Sequence, residues 1–158
     1  MNKKLSLIMF SGEYDKAMAA LVLANTAREL DVEVRIFFAF WGLFLVRDPK
    51  KMSLENKTAY EKMFELMTPK GPNELPLSNM NFAGIGKKMF LDMMEEGDTP
   101  TLVDFLNGAR KKDVKFYGCK LSVEVMGLTK DEFIPELEIV EAKDYLKDAL
   151  ESDIQLFI

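Results

Sequence analysis

The first apolar segment of the chain, KKLSLIMF (Lys3 to Phe10), is apolar on both faces toward its end, and a helical segment follows at once. A strand with one face in water alternates apolar and polar residues; one that is apolar on both faces belongs in a parallel sheet covered on each side. The rest of the chain repeats this order. Ser11-Gly12 makes a turn, Glu13 and Asp15 suit the positive start of a helix, and Ala17, Leu21 and Ala24 share one face of it to about Asp31. VEVRIFFAF alternates through Val32, Val34, Ile36, Phe38 and Phe40 as a second strand. VKFYG is a third, LEIVE (Leu137 to Glu141) a fourth and IQLFI a fifth. Between these last three lie a short helix from Cys119 to Met126 and another carrying Ala142, Tyr145, Leu146, Ala149 and Leu150 at helical period. Strands and helices alternating at this spacing predict an α/β fold with a parallel sheet covered on both faces.

Between the second and third strands the pattern loosens. Ser53 is placed to cap a helix whose Tyr60, Met63, Phe64 and Met67 fall at i, i+3, i+4 and i+7. TPKGPNELPLSN (Thr68 to Asn79) breaks it with prolines and a glycine. A further helix starts near Gly84, with Ile85, Met89, Phe90 and Met93 expected inward and Gly97 as its stop. Thr99-Pro100 signals the start of another, in which Leu102, Phe105, Leu106 and Ala109 form one stripe. No internal repeat or low-complexity tract is present. The reading is one domain over residues 1–158, with a helical, methionine-rich insert at about 50–96.

Composition removes several functions. The 158 residues hold no histidine and one cysteine. Ser-His-Asp and Cys-His catalysis are therefore excluded, as are an internal disulfide and a CxxC pair, and the commonest metal ligand is missing. A reduced, cytoplasmic setting is expected. The net charge of −5 argues against nucleic-acid binding, which needs clustered cations. The longest apolar run, IFFAFWGLFLV (Ile36 to Val46), is far short of the ~20 residues that span a bilayer. It reads as a central strand leading into a buried turn, with a subunit interface or a membrane-facing patch as the other readings.

The single thiol, Cys119, stands after the third strand and a turn at Gly118, where a helix opens. In open parallel sheets, ligands gather beyond the carboxyl ends of the strands. Thiols at helix N-termini ionise more readily than free cysteine. Lys120 adds a neighbouring cation. The bland alternative is a small buried hydrophobe. GIGKK (Gly84 to Lys88) lacks the first glycine of a phosphate loop, Asn81 standing there, and the Ser/Thr after its lysine. Glu95-Glu96 is an exposed helix end. The methionines crowded between Met52 and Met94 read as filling for irregular core, or as an adaptable apolar lid or docking surface.

SGEYDKAMAALVLANTA, FFAFWGL, KMFELMTPKGP, LSNMNFAGIGKKMF, YGCKLSVEVMGL and the closing IQLFI together resemble the DsrE/DsrF family of sulfur-relay proteins, in its longer, DsrE-like subgroup with a methionine-rich insert. The resemblance implies a three-layer α/β/α sandwich with a five-stranded parallel sheet, flavodoxin-like in shape. It implies that Cys119 accepts sulfane sulfur as a persulfide and hands it to a partner protein, with sulfur donor and acceptor proteins as partners. Homo- or hetero-oligomers are implied too. The candidate lining of the site is Tyr117, Gly118 and Lys120 around the cysteine, with Gly12 and Trp41 from the first two strand ends; Met126 also matches in type. No cofactor or metal is expected, because sulfur transfer between thiols needs only a thiolate and a polarised environment. The expected thiol is exposed and ionisable, with no resolving cysteine in the chain.

Overall fold

The computed structural model describes residues 2–158. Five strands, β1 (Lys4–Met9), β2 (Glu33–Phe38), β3 (Lys115–Cys119), β4 (Leu137–Val140) and β5 (Ile154–Phe157), form one sheet in the order β4-β3-β2-β1-β5. All four pairings are parallel. Six α-helices join them: α1 (Tyr14–Glu29), α2 (Ala59–Met67), α3 (Ile85–Glu96), α4 (Leu102–Lys111), α5 (Lys120–Val125) and α6 (Ala142–Leu150). The five-stranded parallel α/β architecture is the one expected.

Topology decides which face each helix covers. The steps from β1 to β4 all move the same way across the sheet, and parallel crossovers are right-handed. Their helices therefore stack on one face. Leu5, Leu7 and Met9 of β1, Val34, Ile36 and Phe38 of β2 and Phe116 of β3 pack there on Ala17, Leu21, Leu106 and Ala109 as the main core. Asn25 ties α1 to α4 by donating to the Phe105 carbonyl at 2.9 Å. The last step runs backwards from β4 past β1 to β5, so α6 falls on the opposite face. A small second cluster forms under it: Phe37, Cys119 and Tyr145, flanked by Ile8, Ala39, Tyr117, Val140 and Ala149.

Several local expectations change. α2 is capped by Thr58, not Ser53, and α4 by Thr101, not Thr99; each cap is a reciprocal box, with Glu61 and Asp104 as the returning side chains. The second strand ends at Phe38, and Phe40, at φ 48°, opens a 3₁₀ turn over Phe40–Leu45 instead of extending it. Ile85, Met89 and Met93 face solvent rather than the core, as do Tyr60, Met63 and Met67. Phe64, Phe90, Leu91 and Met94 are the side chains that turn inward. In α6, Leu146 and Leu150 are exposed, and Tyr145 is the one buried residue.

One reason α2 turns its methionines outward is a buried ionic knot on its inner side. Glu65 is fully buried and accepts from Arg47 Nη2 at 2.8 Å and from Lys57 Nζ. Lys57 also donates to both Glu132 oxygens at 2.8 Å. Two cations and two anions thus neutralise one another out of water, which such burial requires. Burial pushes Glu65 above the ordinary carboxylate range despite Lys57 and Arg47. Burial acts on Glu132 too, but Lys57 and the Thr129 N–H outweigh it and hold that carboxyl low.

Candidate functional site

β3 sends Phe116 to the main core and Tyr117 and Cys119 to the α6 face, as strand alternation demands. Cys119 is the last strand residue and also the N-cap of α5, at φ −67° and ψ 116°. The strand ladder pairs it with Val140 on β4. Its side chain makes no capping hydrogen bond. Three buried side chains of α5, Ser122, Val123 and the C-cap Met126, fix the helix against the body. Gly127, at φ 67°, then closes it: Gly127 N–H donates to Glu124 O and Leu128 N–H to Val123 O, a Schellman end that needs a left-handed residue.

The thiol is covered, not open as expected: Cys119 is 7% exposed. The cause is the topology. On the α6 face the cysteine packs with the Phe37 and Tyr145 rings, which stack at 4.7 Å with an interplanar angle of 26°. Beside this cluster a cavity of about 370 Å³ opens between sheet and helix. Three of the residues packed with Cys119 (Tyr117, Val140 and Tyr145) line it, together with Arg35 and Asp148. Arg35 pairs there with Asp148 and with Glu33 at 2.7 Å. Burial opposes the guanidinium charge, but these two carboxylates overcome it and hold Arg35 more firmly protonated than usual. Burial also raises the Tyr117 and Tyr145 phenols, so both stay neutral near pH 7. The sulfur therefore sits among uncharged groups, with the charged cluster one side chain away.

The other candidate residues divide. Tyr117 joins Cys119 directly. Gly118 faces away, onto the main core, where a Cβ would lie 3.0 Å from Ile139 Cδ1. Lys120 is exposed and stands 4.0 Å from Glu141. Gly12 and Trp41 meet each other instead: a Cβ on Gly12 would lie 2.9 Å from Trp41 Cβ. They border a separate groove of about 350 Å³ with Phe44, Met67 and Pro76, which Cys119 does not line. Phe37 and Tyr145 are neighbours that sequence reasoning did not assign to the site. For Phe37 a signal existed, because IFFAF is apolar on both parities and its odd residue needs a cover on the second face. Among the described residues no three His, Cys, Asp or Glu side chains are grouped to hold a metal ion. No helix among them is long and apolar enough to cross a membrane.

The sequence profile of the DsrE/DsrF/DrsH-like family matches residues 1–157. The chain belongs to that family. Within reach of it, the chain is 38% identical over 156 residues to the uncharacterized protein YrkE of Bacillus subtilis, covering 99% of this chain and 97% of that one. It is 29% identical over 169 residues to the sulfur carrier protein DsrE2 of Allochromatium vinosum, covering 99% and 98%. The fold is similar to the crystal structure of the ychN protein from E. coli, with a TM-score of 0.59 and 13% identity over the whole of both chains. The DsrE-like sheet is thus supported by both sequence and shape.

Proposed function

We propose that this chain is a sulfur carrier, receiving sulfane sulfur as a persulfide on Cys119 and passing it to a partner protein. The observation that carries the reading is position: the sole cysteine of a DsrE-family chain ends β3 at the carboxyl edge of a parallel sheet and occupies the N-cap position of a helix there. The likeness to a protein named a sulfur carrier supports it. The chemistry balances without a cofactor. The Cys119 thiolate attacks the outer sulfur of a donor persulfide; that sulfur's bond to the donor breaks, and the donor leaves as a thiolate that takes up the proton Cys119 lost. An acceptor thiol repeats the step on the new persulfide. Nothing is oxidised or reduced overall.

A covered thiol must be uncovered for this. α6 is the movable part, since Tyr145 is its one buried anchor and its Leu146 and Leu150 stand in solvent. Tyr117 then lines the path and Lys120 offers a cation to an anionic donor. Docking surface is plentiful. Tyr60, Met63, Phe64 and Met67 of α2 and Val125 of α5 form an apolar groove of about 410 Å³. Gly12 and Trp41 border the second groove. These surfaces suit donor and acceptor proteins and a homo-oligomer, and on this reading the 50–96 segment serves as a docking insert on one DsrE-like domain. The test is intact-mass analysis after incubation with glutathione persulfide, native chain against Cys119→Ser. Gain of one sulfur by the native chain alone is expected. No adduct on the native chain under native conditions refutes the carrier reading.

A further inference from the structure

Ser122 is fully buried, and its Oγ has no hydrogen-bond partner among the described residues. Buried hydroxyls are nearly always partnered, because one left alone has lost its water and gained nothing. A helical serine commonly bonds a carbonyl one turn back. Ser122 does not. Its place is what distinguishes it. Cys119 is the N-cap of α5, so Ser122 is the third residue of that helix, the position whose side chain leans back toward the cap. The cap side chain is Sγ of Cys119, which is also without a capping bond.

We propose that Ser122 is the hydrogen-bond donor to sulfur carried on Cys119, its hydroxyl meeting the outer, anionic sulfur of the persulfide. The inference rests on the carrier reading above and names a residue that acts on the reacting atoms. Extending Cys119 by one sulfur brings an acceptor of negative charge to the region where the hydroxyl waits. Hydrogen bonds to ionised acceptors are stronger than neutral ones, so the loaded state gains the bond that the unloaded state lacks. The hydroxyl is a liability to the empty protein and a support to the loaded one.

That opposition gives the test. Native chain, Ser122→Ala and Ser122→Thr are loaded with glutathione persulfide, and decay of the one-sulfur adduct in excess glutathione is followed by intact mass; thermal midpoints of the unloaded proteins are measured alongside. Ser122→Ala is expected to melt at or above the native temperature, since it removes an unpaired buried hydroxyl, and to lose its sulfur about ten-fold faster. Ser122→Thr, which keeps a hydroxyl, is expected to decay within about two-fold of native. Equal lifetimes for native and Ser122→Ala overturn the inference and leave the carrier reading standing. So does a Ser122→Ala chain that melts well below native, which makes the hydroxyl structural. A native chain that takes up no sulfur overturns both.

Discussion

Replacing Tyr145 by alanine removes the cover from Cys119, and the size of the effect follows from how α6 is held. Tyr145 is 8% exposed and stacks on Phe37 with ring centroids 4.7 Å apart. An aromatic side chain buries about 150–250 Å², which at ~25 cal/mol per Å² is worth ~4–6 kcal/mol as an upper bound. Loss at an edge site, where water fills the gap, is set nearer ~2–3 kcal/mol. The rest of α6 and the turn after it are tied by polar links that survive the change: Arg35 to Asp148, Ser6 to Ser152 at 2.7 Å, and Gln155 to the Ala149 carbonyl at 2.8 Å. If reagent reaches the thiol through opening of α6, ~2–3 kcal/mol raises the open population about 30- to 150-fold. The assay is alkylation of native protein by iodoacetamide, read by mass, with rates compared to the unfolded chain and circular dichroism confirming the fold. Tyr145→Phe keeps the ring, so its rate stays within about three-fold of native. A Tyr145→Ala rate equal to native, in folded protein, refutes the argument that this helix covers the sulfur. So does a native rate already equal to that of the unfolded chain.

Two further outcomes follow from charges that the fold places. Glu65→Ala leaves Arg47 with Glu132 at 3.9 Å as its nearest anion and a guanidinium sealed from water; breaking such a knot costs about 3–5 kcal/mol, measured as a lowered urea midpoint. Burial acts to raise Asp15, but the hydroxyl and N–H of Ser78 donate to it and hold its carboxyl below the usual value. A lowered folded pKa stabilises above the unfolded value, near 3.8, and that support is lost as pH falls through the folded one. Thermal midpoints of native protein and Asp15→Asn should therefore differ at neutral pH and draw together as pH falls below 3.8 and through the lowered folded value; a constant gap contradicts the assignment.

The strands were legible because a parallel sheet writes itself as short apolar runs, and each of the five lies where its run is. Helix presence was legible as well, from period. Helix facing was not. Tyr60, Met63 and Met67 keep helical spacing whether they look inward or out, and period alone carries no sign. What turned α2 was Glu65 meeting Arg47 and, through Lys57, Glu132, partners brought together only by the fold. The caps were readable and misplaced: TAYE and TLVD carry the box spacing at Thr58 and Thr101, which outranks an isolated Ser53 or a Thr99 before proline.

The cover on Cys119 is the subtler case, because it is a consequence of strand order. A cysteine after a strand and before a helix reads as open, since chain ends of strands reach the sheet's rim. Whether it is open depends on its parity and on what crosses that face. Tyr117 and Cys119 have the parity opposite to Phe116, so they look away from the main core. Had β5 been added beyond β4, the right-handed rule would have put α6 with the other helices and left this face bare. Because β5 instead returns to pair with β1, α6 must cross the second face on its way, and Tyr145 lands with the sulfur. The same turn of topology that buries the thiol thus supplies a single, lightly anchored helix as the thing to move.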